Sequence, residues 1–249
     1  MIDIVNFIKN LKKIKNGSEV VVNYLEKSNN TEVLLSASIL DVNPIEVHSK
    51  LSILNGLLDY IHIDVMDGIF VPNKTEGINM FQNAYRQEKT PLDVHLMVDN
   101  PTQILSNFQG ARIITFHIET IINPKTMAVD MNRFYEIAAE IRSYGAKVGV
   151  AIKPNTTVSL LRNILNKVDL VLVMTVEPGY GKQKLIESTL EKIEKVRSMG
   201  FDGLLEVDGG ITKDNVIEVI KRGANVIVAG TAIFGADDIY DAAWTIKQK

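Results

Sequence analysis

The chain has 249 residues, 46 % of them apolar and 23 % charged, with a net charge of −3 and no cysteine. That balance supplies no basic field for nucleic acid or an anionic membrane surface, and it excludes disulfides and thiolate chemistry within the chain. The start, Met1-Ile2-Asp3-Ile4, lacks the basic region and apolar core of a signal peptide, and no apolar run approaches the ~18 residues of a membrane helix, which predicts a soluble cytoplasmic protein.

Residues 1–30 stand apart from the rest of the chain. Ile4, Phe7, Ile8, Leu11 and Ile14 recur at helical spacing, Gly17-Ser18 interrupts them, and Ser28-Asn29-Asn30 reads as a turn. This stretch is expected to be a helical extension over one end of a larger domain, residues 31–249, serving packing or oligomer contact.

A repeating unit then begins. Short runs rich in β-branched residues recur at Val33–Leu40, Tyr60–Val65, Leu92–Met97, Arg112–His117, Lys147–Ile152, Leu170–Thr175, Gly203–Val207 and Val226–Ala229. Helical patterns lie between them at Pro44–Leu58, Ile78–Gln87, Thr102–Phe108, Arg133–Tyr144, Val158–Leu165, Leu185–Ser198 and Asn215–Lys221, with a last one at Asp238–Lys249. Strands alternating with helices imply parallel pairing through right-handed crossovers. Eight such units, in a chain near the ~250 residues typical of the fold, predict an α/β protein with a single (β/α)8 barrel rather than an open doubly wound sheet.

In such a barrel catalytic groups sit at the C-terminal ends of the strands. Polar residues gather toward those ends: Ser38, His62, Asp64, Asp93, His95, Thr115, His117, Lys153, Thr175, Asp208 and Thr231. His62 and Asp64, two positions apart, share one face of their strand, where an imidazole and a carboxylate can hold one metal ion or simply hydrogen-bond within a core. His95 and Asp208 add a second imidazole and a second carboxylate from two further strands. Mixed nitrogen and oxygen donors suit Zn²⁺, Fe²⁺, Mn²⁺ or Co²⁺ without choosing among them. Pro178-Gly179-Tyr180-Gly181, Gly209-Gly210 and Gly230-Thr231 follow strands six, seven and eight, where backbone N–H groups commonly cradle phosphate.

Ser36-Ala37-Ser38-Ile39-Leu40, His62-Ile63-Asp64-Val65-Met66-Asp67-Gly68-Ile69-Phe70-Val71-Pro72-Asn73, Leu92 to Met97 with Pro101, and Ile114-Thr115-Phe116-His117-Ile118-Glu119 occur in this order. Gly149 to Pro154, Val173 to Gly179, Val207-Asp208-Gly209-Gly210-Ile211 and Val228 to Phe234 complete the series. Across about residues 33–240 the sequence resembles the ribulose-phosphate 3-epimerase family. The resemblance implies a barrel that inverts C3 of D-ribulose 5-phosphate to give D-xylulose 5-phosphate, a step of the pentose phosphate pathway. It implies one divalent metal ion on His62, Asp64, His95 and Asp208, with Asp64 and Asp208 as the acid/base pair. It also implies substrate contacts from Ser38, His95, Met66, Met97 and Met174, with the phosphate on Gly179, Gly181, Gly209, Gly210, Gly230 and Thr231. Homo-oligomers are usual in that family.

Removal of a proton α to a ketone leaves an enediolate, which needs positive charge beside its oxygens. Inversion requires a proton taken from one face and returned to the other, a task for two carboxylates in different protonation states. Methionines near them would exclude water without offering a competing proton donor, although methionine is also common core filler.

Two departures from the family pattern bear on the substrate. Lys182 stands where the family usually has a glycine, so if that position needs a positive φ, lysine would strain or reshape the loop. Lys74-Thr75-Glu76-Gly77-Ile78-Asn79-Met80 also differs from the usual apolar and glycine-containing pattern. These leave open a sister epimerase of a hexulose 6-phosphate such as D-allulose 6-phosphate. Barrel decarboxylases and aldol-type synthases often carry Asp-x-Lys-x-x-Asp, but here Met66 and Ile69 occupy the lysine and second aspartate positions. A non-catalytic sugar-phosphate binder would have no need of all four donors.

Overall fold

The computed structural model describes residues 33–249; the expected helical extension over 1–30 lies outside the described residues. Eight parallel strands close into one barrel in chain order: β1 (Leu34–Ser38), β2 (Tyr60–Met66), β3 (Leu92–Met97), β4 (Ile113–His117), β5 (Lys147–Ile152), β6 (Leu170–Met174), β7 (Leu204–Asp208) and β8 (Val226–Ala229). Closure comes from β1, which pairs with β2 through Ala37↔Ile61 and with β8 through Leu35↔Ile227. The ring leaves no sheet edge open.

Among the described residues the outer helices are α1 (Val47–Ile53), α2 (Gly77–Gln87), α3 (Met131–Ser143), α4 (Leu190–Ser198), α5 (Val216–Lys221), α6 (Thr231–Phe234) and α7 (Ile239–Lys247). Two expected helices take another form. Thr102–Phe108 is a pair of 3₁₀ turns, Pro101–Gln103 and Leu105–Phe108, and Val158–Leu165 falls in the turns Val158–Asn163 and Leu165–Lys167. Each pair hinges on an isoleucine, Ile104 or Ile164, whose φ near −120° is outside the α-helical range. The short α6 begins at Thr231, the second residue of the expected Gly230-Thr231 loop. α2 starts at Gly77 because a Cβ there would lie 2.9 Å from the Val65 Cα, so the missing side chain lets the helix rest on β2.

Strand alternation sorts the side chains into two populations. Outward positions such as Ile61, Ile63, Val94, Leu96, Val148, Val150, Val171 and Val173 join the helices in the main apolar core. Inward positions fill the barrel in layers. At the N-terminal end Leu34, Tyr60, Ile113, Leu170, Leu204 and Val226 form an apolar plug. Above it five strands carry polar pairs two residues apart: Ser36/Ser38, His62/Asp64, Asp93/His95, Thr115/His117 and Glu206/Asp208. Register aligns them, with His62 opposite Asp93, Asp64 opposite His95, and Met174 opposite Asp208. The barrel therefore has an apolar floor and a polar upper interior, the reverse of what stability alone would select.

Candidate metal centre and substrate cavity

His62, Asp64, His95 and Asp208 converge. One donor atom from each lies within 4.8 Å of every other. His62 Nε2 is 3.5 Å from Asp64 Oδ1, and His95 Nδ1 is 3.2 Å from Asp64 Oδ1 and 3.9 Å from Asp208 Oδ2. Donors held about 2.1 Å from one ion stand roughly 3.4 Å apart in a tetrahedral arrangement, close to these separations.

The decisive atom is His62 Nε2. It is buried and lacks a hydrogen-bond partner, while the other ring nitrogen, Nδ1, meets Asp93 Oδ2 at 2.7 Å. A proton on Nδ1 donated to Asp93 leaves the Nε2 lone pair facing the carboxylates, the arrangement a metal-binding histidine needs. Ser36 Oγ donates to the same Asp93 oxygen at 3.1 Å. The four residues thus fit a divalent cation by donor type, spacing and an orphaned lone pair.

The electrostatics of the cluster are uneven. Burial works against a charged His62, but Asp93 and Asp64 outweigh it and raise its pKa well above the usual value. Asp64 is also opposed by burial, yet the charge of His62 and its close contacts with both imidazoles hold it far below the ordinary carboxylate range. Burial lowers His95 and keeps it neutral. Asp208 moves the other way: burial first, then the Asp64 charge, push it up to about 7. Its side chain retains 17 % exposure, against 4 % for Asp64. Glu206, beneath Asp208 on the same face, is buried with neither carboxyl oxygen hydrogen-bonded, and burial and Asp93 raise it strongly. Its neutral form is the one that can remain in the interior.

A cavity of about 810 Å³ opens over this cluster, bordered by Asp64 and Asp208. Ser38 borders it too, its hydroxyl donating to Asp64 Oδ2 at 2.9 Å. Met66, Met97 and Met174, each nearly inaccessible, supply an apolar wall. Gly179, Gly181, Gly209, Gly210, Gly230 and Thr231 line the cavity as well. His62 and His95 do not border the cavity and are fully buried. Thr175 positions Asp208 and the turn after it: its backbone N–H and hydroxyl donate to Asp208 O at 2.8 and 2.9 Å, and the hydroxyl also reaches Gly209 O. Gly210 has φ +67°, and a Cβ there would lie 2.4 Å from the Leu185 nitrogen, so only glycine brings the two loops this close. Lys182 adopts φ +59°, so the position expected to want glycine does take the left-handed conformation. Asn73, at the end of the loop after β2, donates to Gly179 O at 2.9 Å and ties that loop to the one after β6.

Residues 34–234 match the ribulose-phosphate 3 epimerase family. The chain belongs to this family. Among its relatives, "Ribulose-5-phosphate-3-epimerase, chloroplastic" of Arabidopsis thaliana is 38 % identical over 230 residues, spanning 90 % of this chain and 79 % of the relative. "Ribulose-phosphate 3-epimerase" of Bacillus subtilis (strain 168) is 40 % identical over 190 residues, 74 % of this chain and 83 % of the relative. Solved structures share the fold of this epimerase-family chain at low identity. The 3-hexulose-6-phosphate synthase from Salmonella typhimurium has a TM-score of 0.65 at 18 % identity, covering 86 % of this chain and 97 % of that one. KGPDC from Streptococcus mutans has a TM-score of 0.66 at 14 % identity, covering 87 % and 96 %. These likenesses show the barrel and nothing finer. Among the described residues, no helix is long and apolar enough to cross a membrane.

From the sequence alone Asp93 reads only as a strand-end polar residue, and Ser36 and Glu206 receive no role. The signal is present: each stands two positions before a candidate residue of its strand, on the same face.

Proposed function

We propose that the chain interconverts D-ribulose 5-phosphate and D-xylulose 5-phosphate, with one divalent cation held by His62, Asp64, His95 and Asp208. The observation that carries this reading is the divergence of the two carboxylates. Asp64 and Asp208 border one cavity, yet one is held far below the carboxylate range and the other near 7. The two carboxylates sit in different environments, the condition under which one can accept a proton while the other gives one.

A divalent ion bound there supplies Lewis-acid stabilisation for the negative charge that develops on the substrate oxygens, a contribution of several kcal/mol. The side chains do the rest. Asp64 takes the C3 proton on one face, Asp208 returns one on the other, and the roles exchange in the reverse direction. Met66, Met97 and Met174 keep bulk water from the planar intermediate. The Ser38 hydroxyl, already turned toward Asp64, can contact a substrate oxygen. Gly179, Gly181, Gly209, Gly210, Gly230 and Thr231 present the phosphate with backbone donors. The proposed partner is the small-molecule ketose phosphate, with no nucleic acid or membrane; a cytoplasmic homo-oligomer is the proposed state.

Incubation with D-ribulose 5-phosphate in D2O, with metal analysis of the same sample, tests the proposal. Deuterium at C3 of both epimers and one divalent ion per chain are expected. Epimer formation without solvent deuterium would overturn the two-base route. Faster turnover of a hexulose 6-phosphate than of the pentulose would reassign the substrate.

A further inference from the structure

His95 is poised between two tautomers. Its Nδ1 lies 3.2 Å from Asp64 Oδ1, a carboxylate that would readily accept a proton from it. A proton on Nδ1 would block the lone pair needed at the cation site. Something must hold that proton on Nε2 instead.

On the far side of the ring, His95 Nε2 meets His117 Nε2 at 2.9 Å, and His117 Nδ1 meets Glu119 Oε2 at 3.1 Å. Both imidazoles are fully buried. The other Glu119 oxygen, Oε1, is taken: it accepts from the Lys153 backbone N–H at 2.8 Å and from the Thr156 hydroxyl. These bonds give the chain of groups one consistent polarity. Glu119 accepts the Nδ1 proton of His117, so His117 Nε2 carries a lone pair. That lone pair accepts the Nε2 proton of His95, which leaves His95 Nδ1 bare.

We infer that His117 and Glu119 are positioning residues that fix the tautomer of His95 and so make its Nδ1 a metal ligand. The inference rests on the metal centre proposed above. Nothing in the two-base chemistry requires a histidine and a glutamate at these places, and neither residue borders the cavity. Partners behind metal-binding histidines commonly contribute 10–100-fold in metal affinity.

Glu119→Gln gives a shape-preserving test. The glutamine must keep its oxygen toward Lys153 N–H and Thr156, and therefore turns its NH₂ toward His117. The relay then inverts: His117 protonates Nε2, and His95 is driven to protonate Nδ1. His117→Leu removes the acceptor outright. Full-length protein carrying ¹⁵N-histidine is stripped of metal, its ring nitrogens are assigned by NMR, and Zn²⁺ affinity is measured by competition with a chelating dye. In the wild type His95 should be protonated on Nε2; in Glu119→Gln the proton should move to Nδ1, with Zn²⁺ bound about 10–100-fold more weakly. Unchanged affinity with His95 still protonated on Nε2 in Glu119→Gln would overturn the inference while leaving the metal centre standing. Failure of the wild type to bind Zn²⁺ would remove the metal centre, and this inference with it.

Discussion

Replacing Lys182 by glycine should make the protein more stable. Lys182 has φ +59° and is exposed, so the substitution changes backbone energetics with little loss of packing. Holding an L-residue in the left-handed region costs roughly 1–2 kcal/mol. Glycine removes that cost but adds freedom to the unfolded chain worth about 0.4–1 kcal/mol. The difference is a net gain centred on about 0.8 kcal/mol and no larger than about 1.6 kcal/mol, and at roughly 2–4 °C per kcal/mol for a chain of this size the melting temperature should rise by about 2–3 °C. Lys182→Ala is the control, since it keeps the Cβ and hence the strain, and should leave the melting temperature nearly unchanged. Calorimetry of the three proteins at one pH and one metal loading decides the matter. A glycine variant that melts at or below the alanine variant would refute the argument, because relief of the left-handed conformation would then be too small to outweigh the added freedom of the unfolded chain.

Asp208→Asn should lower kcat by about 10²–10⁴-fold, the usual worth of a positioned acid or base; wild-type turnover would exclude Asp208 from proton transfer. The same variant probes stability. A carboxyl raised to about 7 binds more protons folded than unfolded between its ordinary value and 7, so its contribution to stability falls as pH rises through that window. With a chelator present, the melting temperature of Asp208→Asn relative to wild type should therefore be higher at pH 8 than at pH 4, and equal differences at the two would contradict the assigned burial and Asp64 repulsion. Gly149→Ala should destabilise by about 1–3 kcal/mol in urea, because its Cβ would fall 2.1 Å from Thr115 Oγ1. Adding Thr115→Ala should recover only part of that loss, because the Thr115 Cβ at 2.9 Å and Cα at 3.1 Å stay close; no recovery would mean that the hydroxyl is not the source. Zn²⁺ affinity should weaken as pH falls from 8 to 5.5, because Asp93 and Asp64 raise the pKa of His62 and protons then compete for its Nε2; a flat profile would argue against His62 as a donor.

The barrel was legible because its strands are written in β-branched runs separated by helical intervals, and all eight fall where those runs lie. Thr102–Phe108 and Val158–Leu165 were not, since apolar spacing reads alike in an α-helix and in two 3₁₀ turns joined by an isoleucine. The four candidate metal donors could be picked from their strand positions, but their convergence depends on register, such as His62 opposite Asp93 and Asp64 opposite His95, which the pairing of separate strands sets. Ser36 and Glu206 escaped notice for a related reason. A polar residue two places below a strand end looks incidental until the alternation of five strands is laid side by side. The opposite shifts of Asp64 and Asp208 depend on which neighbour is charged and how deep each group sits, and neither is a property of one segment.

The donors are also ordered in time. His62, Asp64 and His95 emerge early in synthesis, and Asp208 only once the seventh strand has been made. A partly translated chain therefore offers an incomplete set of candidate donors, and the last of them arrives with the strand that nearly completes the ring. Under the proposed metal site, a chain truncated before Asp208 should hold a divalent ion less tightly than the whole barrel.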